Sequence, residues 1–236
     1  MDVLAVLSLA IAPGVFWLWF FYRRDKLEPE PAHLIARTFF LGILVALPIV
    51  IAQSFFLFLP AFILYAIIAP ITEEYGKFAV VRYGIYNNAE FNEPMDGIVY
   101  GAASALGFAT IENIGYLLGS YFAPEEALGE GASAGDAVLF LFIMRSLLSV
   151  PGHAIWASFW GYALGRAKFT FPPFRGNRMI RDGLTLAMVS HGLFNGLLLL
   201  HPVLALGALI VIGVGWRMTF RRISAARAAS SQDPES

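Results

Sequence analysis

The stretch Leu41–Phe78, "LGILVALPIVIAQSFFLFLPAFILYAIIAPITEEYGKF", decides the fold. From Leu41 to Ala69 it carries no charged side chain at all. Within the next eight residues it carries Glu73, Glu74 and Lys77. An apolar run of this length is what a helix needs to cross a hydrocarbon core of about 30 Å, at roughly 20 residues per crossing. A charge at the centre of that layer costs about 2.5–3.5 kcal/mol. The three charged groups are therefore either an internal ion pair that locks helices together or part of a functional site.

Working outward, the rest of the chain repeats the pattern. It has 236 residues, of which 58% are hydrophobic and 14% charged, with a mean hydropathy of +0.67. Soluble domains run nearer 25% charged. Seven apolar blocks can be read, at about 3–22, 38–59, 61–82, 97–119, 138–164, 183–200 and 202–216. The first lacks a basic leader and a small-residue cleavage site, so it reads as a retained helix. The last two are separated by little more than His201-Pro202, which predicts a tight hairpin. The expectation is an all-α polytopic bundle of about seven membrane spans. Residues 1–216 form one transmembrane domain with its core at about 60–200, and 217–236 form a disordered cytoplasmic tail. No soluble domain fits between the blocks.

Charge gives the orientation. Cytoplasmic loops carry the excess of Lys and Arg. Fourteen of the sixteen basic residues fall after blocks one, three, five and seven. The intervening loops have none, and one is acidic (Glu125, Glu126, Glu130 and Asp136). This alternation places the N-terminus outside and the C-terminus in the cytoplasm. With no cysteine in the chain, disulfides, thiol catalysis and thiolate metal ligands are excluded.

The two remaining basic residues, Lys77 and Arg145, lie inside blocks. They belong to an intramembrane polar set of Glu73, Glu74 and Lys77 in block three, Glu112 and Asn113 in block four, Arg145 and His153 in block five, and His191 and Asn195 in block six. Four consecutive helices contributing ionisable groups point to a common site. Glu73 and Lys77 are i, i+4, and Glu74 and Lys77 are i, i+3, so Lys77 neutralises one carboxylate and leaves the other free. The two adjacent glutamates point about 100° apart, one toward the site and one toward a supporting helix. His191 and Asn195 share a face. Gly97, Gly101, Ala105 and Gly107 let block four approach its neighbours closely. By residue count Glu112 falls deeper toward the outer side than the others. The aromatic clusters "FWLWFFY" and "ASFWGY" read as lipid-facing or interfacial. Lys77 and Arg145 read as structural counter-charges.

Two carboxylates and two histidines suit activation of a water. A glutamate in a low-dielectric site can serve as general base. Histidines can hold a metal that acidifies water or stabilise an oxyanion, for which an Asn is also a donor. No Gly-x-Ser-x-Gly elbow supports serine catalysis, and no His-Glu-x-x-His motif is present. Two other classes use the same residues: a proton-coupled transporter with a Glu/His relay, and a non-catalytic membrane scaffold. Neither inverted repeats nor paired broken helices, which a transporter would favour, are evident.

Taken in order, "EEYGK" (E-E-x-x-K), "FATIE" (F-x-x-x-E), the lone His153 and "HGLFN" resemble the PrsW family of intramembrane proteases, related to the CAAX-prenyl-endopeptidase and Abi group. The resemblance covers about residues 60–200. It implies a polytopic membrane endopeptidase acting on membrane-anchored protein or peptide substrates in a bacterial or archaeal cell membrane, with no nucleic-acid partner. The founding branch cuts an anti-sigma factor. By motif, Glu73 and Glu74 would form the catalytic pair, completed by Glu112, His153 and His191. Carried over from the CAAX group, Glu73 would be the base and His191 with Asn195 the oxyanion side. Glu112 stands where that group has a His, so its role does not transfer. Two cofactor readings stay open: zinc on His153, His191 and Glu112, or no metal in a glutamic-type site. The family's last motif is often H-x-x-x-D, and Asn195 in place of Asp is a poorer metal ligand.

Overall fold

The computed structural model describes residues 1–200 and 202–230, and among these every regular element is helical. The order is α1 (Val3–Tyr22), α2 (Ala32–Ser54), α3 (Ala61–Ile63), a π turn (Leu64–Ile68), α4 (Ala69–Gly84), α5 (Pro94–Phe122), α6 (Pro124–Leu128), α7 (Ala134–Met144), a second π turn (Arg145–Ser149), α8 (Val150–Lys168), α9 (Pro173–Leu200) and α10 (Pro202–Ser230). His201, at the expected hairpin, and residues 231–236 lie outside the described residues.

Five helical passages are long and apolar enough to cross a membrane: Val3–Tyr22, Ala32–Ser54, Ala134–Lys168, Pro173–Leu200 and Val203–Ser230. The passage through α3 and α4, and helix α5, fall outside that set. These two carry the intramembrane glutamates, which lowers their mean hydropathy. Large apolar side chains such as Leu44, Leu47, Phe58 and Ile210 stand exposed around the bundle, as a lipid-facing surface requires. The ends group consistently. Lys168 Nζ donates to the Tyr86 carbonyl at 2.9 Å, and Arg227 donates to the Arg24 carbonyl. At the opposite end the Tyr121 hydroxyl donates to the Met1 carbonyl at 3.2 Å.

Helix α5 is the axis of the bundle. It packs against α1, α2, α4, α7 and α8, and every residue from Pro94 to Thr110 is buried. Its small residues make this possible, as the sequence predicts. A Cβ on Gly97 would lie 2.0 Å from the Gly161 carbonyl oxygen of α8, and one on Gly107 would lie 2.0 Å from the Phe39 carbonyl oxygen of α2. Backbones meet directly there, so no side chain fits.

The two π turns have a common cause. Each precedes a proline in the first turn of the following helix, Pro70 in α4 and Pro151 in α8. Proline clashes with the carbonyl four residues back, and a wider turn relieves the clash. In π register a carbonyl accepts from the residue five ahead. Ala69 N accordingly bonds Leu64 O, and Val150 N bonds Arg145 O. The next carbonyls, Tyr65 O and Ser146 O, would need N–H groups from Pro70 and Pro151, which have none. Asn195 Nδ2 donates to Tyr65 O at 3.0 Å, and Trp17 Nε1 donates to Ser146 O at 2.9 Å. Neighbouring helices thus satisfy both freed groups.

Two expectations need correction. Residues 217–230, expected as disordered tail, continue α10 to Ser230. Alanine favours helix in "SAARAAS", and Ala226 and Ser230 are buried against the bundle. The cluster "ASFWGY" is not lipid-facing: Phe159 and Trp160 are buried, because α8 packs between α5 and α9.

Candidate active site

Helices α4, α5, α8 and α9 and the second π turn bring the predicted polar residues together. Lys77 is fully buried on α4 and spends all three ammonium hydrogens. It donates to Glu74 Oε1 at 2.8 Å, to Glu73 Oε2 at 3.4 Å and to His153 Nδ1 at 2.8 Å. Its charge also lies 4.5 Å from the Phe108 ring centroid. An ammonium has no lone pair, so His153 Nδ1 is an acceptor here. The other nitrogen, Nε2, then carries the proton that meets Glu112 Oε2 at 2.9 Å.

The adjacent glutamates separate as helix geometry requires. Glu74 is fully buried and saturated. Besides Lys77 it accepts from Trp160 Nε1 at 3.1 Å and meets His191 Nδ1 at 3.0 Å. Glu73 instead lines a cleft of about 1080 Å³. Its Oε2 lies 4.0 Å from His191 Nε2. The rings of His153 and His191 are 5.2 Å apart and nearly perpendicular.

A second group stands behind His153. Arg145 NH2 donates to Glu112 Oε2 at 3.2 Å, and its Nε donates to Asn113 Oδ1 at 2.8 Å. Asn113 Nδ2 donates to the Ala10 carbonyl at 2.8 Å, tying the group to α1. Arg145 also lies 4.0 Å over the Tyr116 ring. Glu112, for which depth counting predicts a position toward the outer side, is held at His153 because α5 is 29 residues long and crosses the site beyond its midpoint. With both histidines neutral, three carboxylates face two basic side chains. One negative charge is left over, and only Glu73 and the partly exposed Glu112 reach the cleft wall.

The cleft is also lined by Ala46 and Val50 of α2, Tyr65 of the first π turn, Phe108 and Tyr116 of α5, and Phe194 and Asn195 of α9. It runs on to Phe122, Ala123 and Glu126, at the end of the bundle that holds Met1. Asn195 reaches the cleft, but its amide is hydrogen-bonded to Tyr65 O and not to the Glu–His group. The serines near the histidines take no part in this group; Ser158, for instance, bonds Ile155 O and Thr219 on the far side of α8.

The donors that could share one metal are Glu73, His153 and His191, whose ligand atoms lie within 4.8 Å of one another. Glu112 is not in that group. The fit to zinc is incomplete. Zinc takes lone pairs at about 2.0–2.1 Å from histidine nitrogen, and both nitrogens of His153 are engaged, by Lys77 and by Glu112. The Lys77 ammonium already supplies a positive charge 2.8 Å from one donor and 3.4 Å from another. As arranged, the Lys77 ammonium takes the lone pair of His153, and Glu73 and His191 Nε2 are the donors of the group left open to the cleft.

Trp160 is the functional neighbour that the sequence reading misplaces. A signal for it exists, since His153 and Trp160 are seven residues apart and so share a helix face.

Comparison with known proteins agrees with this architecture. Residues 30–218 match the family described as PrsW family intramembrane metalloprotease. The chain is 35% identical over 204 residues to Protease PrsW of Bacillus subtilis (strain 168), covering 81% of this chain and 80% of the relative. It is 35% identical over 200 residues to Protease PrsW of Geobacillus kaustophilus (strain HTA426), covering 83% and 80%. A more distant relative, Protease PrsW of Clostridioides difficile (strain 630), is 23% identical over 231 residues, covering 94% and 90%. No solved structure matches. An ordered set of intramembrane Glu and His residues on successive helices, and a family match across most of the chain, lead to one conclusion: the chain belongs to the PrsW family of intramembrane proteases.

Proposed function

We propose that this intramembrane protease hydrolyses a peptide bond of a membrane-anchored protein, with Glu73 as general base on a water bound between Glu73 and His191. The observation that carries this reading is the split between the two glutamates. Glu74 is saturated and sealed, while Glu73 opens on the cleft with His191 Nε2 at 4.0 Å. A water can bridge that gap.

In this mechanism Glu73 takes one proton from the water as its oxygen attacks the scissile carbonyl carbon. The C–N bond then breaks, and Glu73 returns the proton to the leaving amine. Glu74 accepts from His191 Nδ1 and so holds the ring with Nε2 toward the cleft. His191 Nε2, left with its lone pair, accepts the water's other hydrogen and so orients the attack, and the second N–H of Asn195 is the side-chain donor available to the oxyanion. Lys77 holds the two glutamates in place. His153 fixes Lys77 on one side and is fixed by Glu112 and Arg145 on the other, which makes it a positioning residue.

The basic residues gather at the end holding the α1–α2 loop, the α4–α5 turn and the end of α10. By the positive-inside rule that end is cytoplasmic. Counting the two glutamate-bearing passages beside the five apolar ones, this reading has seven spans, an outside N-terminus and a cleft opening toward the outer face, in the cell membrane of a bacterium. The substrate is a single-span or lipid-anchored protein that enters the cleft from that side.

The test is cleavage of a single-span substrate by purified protein in detergent. Glu73→Gln should lower the rate about 10²–10⁴-fold, the usual worth of a general base, with normal membrane insertion. Wild-type cutting by the Glu73→Gln protein would overturn the assignment, and substrate uptake into liposomes without a cut product would favour a transporter.

A further inference from the structure

A second acidic cluster lies outside the cleft, at the end of the bundle where the α1–α2 loop meets the start of α5. Asp25 and Glu30 come from that loop, and Asp96 from the first turn of α5. One carboxylate oxygen of each lies within 4.8 Å of the others. All three residues are buried, at 5%, 3% and 0% exposure. Some of their oxygens are spoken for. Asp96 Oδ2 accepts from the N–H groups of Asn92 and Glu93 at 2.7 and 2.8 Å, and Glu30 accepts from the Tyr100 hydroxyl. Two are not: Asp25 Oδ2 and Asp96 Oδ1 are buried without a hydrogen-bond partner.

Three carboxylates brought together need a positive charge. Among the described residues, no Lys, Arg or His forms an ion pair with any of them. Lys168 is near enough for Asp96 to act on its charge, but its ammonium is turned onto the carbonyls of Tyr86, Asn88 and Phe91. Burial, with mutual repulsion, pushes Asp25 and Glu30 up to about 7 and Asp96 up to about 9. The described residues thus bring no cation of their own onto the cluster, and the carboxyls of Glu30 with Asp96 and of Asp25 with Glu93 sit close enough to share protons.

We propose that Asp25, Glu30 and Asp96 form a binding site for a hard divalent cation, Mg²⁺ or Ca²⁺, that fastens the α1–α2 loop to the N-terminal end of α5. The donor set is all oxygen, which selects these ions over zinc or copper. Two ligands of one Ca²⁺ at about 2.3–2.6 Å can stand up to about 5 Å apart, and two of one Mg²⁺ at about 2.0–2.1 Å up to about 4 Å. The 4.8 Å limit on the cluster meets the spacing of Ca²⁺, while Mg²⁺ would need the carboxylates to draw closer together. Glu93, also buried, caps α5 with Asp96 and flanks Asp25. The ion would thus join the α1–α2 loop, the α4–α5 turn and the start of the central helix. It is separate from the Glu73 group and carries no part of the cleavage reaction.

The experiment uses the full chain in detergent, stripped with EDTA and dialysed. Adding Ca²⁺ or Mg²⁺ at about a hundredfold excess over its dissociation constant should raise Tm by about 5–10 °C, and the larger shift identifies the ion. Tb³⁺ should bind in the same place and luminesce on excitation of Tyr100, and excess Ca²⁺ should quench it while Na⁺ does not. Asp25→Asn and Glu30→Gln should abolish both responses, and Glu73→Gln should keep both. Tyr100→Phe, which leaves the three carboxylates, should lose most of the luminescence and keep the Ca²⁺ shift in Tm. A wild-type Tm that moves by less than about 1 °C with each ion would overturn the proposal and leave protons as the neutralising charge. An Asp25→Asn protein that responds like wild type would overturn it equally.

Discussion

Replacing Asn195 with alanine separates two jobs that this residue holds. One is structural: its amide donates at 3.0 Å to Tyr65 O, the carbonyl that Pro70 cannot serve. Leaving such an acceptor unpaired costs about 1–3 kcal/mol. For a chain of this size each kcal/mol is worth about 2–4 °C in Tm, so Asn195→Ala should lower Tm by about 2–12 °C. The other job is the proposed donation to the oxyanion, worth about 10²–10³ in kcat. The Pro70→Ala background tells them apart, because the substitution returns an N–H to the π turn. There the stability cost of Asn195→Ala should shrink to within about 0.5 kcal/mol of zero, while the loss of cleavage persists. The measurement is thermal unfolding and cleavage rate for the four proteins of the cycle. Stability costs that simply add, within about 0.5 kcal/mol, would refute the pairing of Asn195 with the proline-freed carbonyl.

Three further outcomes follow from the site. Glu74→Gln should cost about 3 kcal/mol, the low end for a broken buried pair, and more than Glu73→Gln, because Glu74 holds His191 and Trp160 besides its 2.8 Å contact with Lys77, whereas Glu73 meets Lys77 at 3.4 Å; equal melting temperatures for the two variants would count against it. Trp160→Phe should cost about 1.5–3 kcal/mol through loss of a hydrogen bond to a charged acceptor, and a Tm within about 1 °C of wild type would contradict the role given to the indole. Treatment with 1,10-phenanthroline, which strips zinc but leaves Mg²⁺ and Ca²⁺, should leave cleavage within about twofold; loss of activity restored by added zinc would show that Lys77 yields His153 to a metal.

Much of the fold is legible because membrane helices announce themselves by apolar length, and much of the site because charge is costly there. Glu73, Glu74, Lys77, Glu112, Arg145, His153 and His191 stand out against their surroundings, and the structure gathers all seven. Sequence spacing also separates Glu73 from Glu74, though not which of them faces the cleft. That depends on which neighbour packs on which side of α4, and only the fold supplies Trp160 and His191 there. Trp160 hides among aromatic residues that look alike whether they face lipid or core. Asp25, Glu30 and Asp96 are unremarkable in sequence because loop acids are usually solvated; their burial comes from contacts between distant segments. The helical end of α10 is masked by polar composition, which a packed helix end and a free tail share.

The π turn at Leu64–Ile68 has a consequence for how the site was set. A π turn amounts to one extra residue slipped into a helix, and each residue of α-helix turns the chain by about 100°. Deleting a single residue from that turn, by one codon, would rotate all of α4 against its neighbours by that angle. Glu74 would swing toward the position Glu73 holds at the cleft, and Glu73 would leave it. Hydropathy and composition would hardly change. Which glutamate faces the cleft, and so which is the proposed base, is thus encoded as a phase, fixed by one residue and the proline after it, and not by the two glutamates themselves.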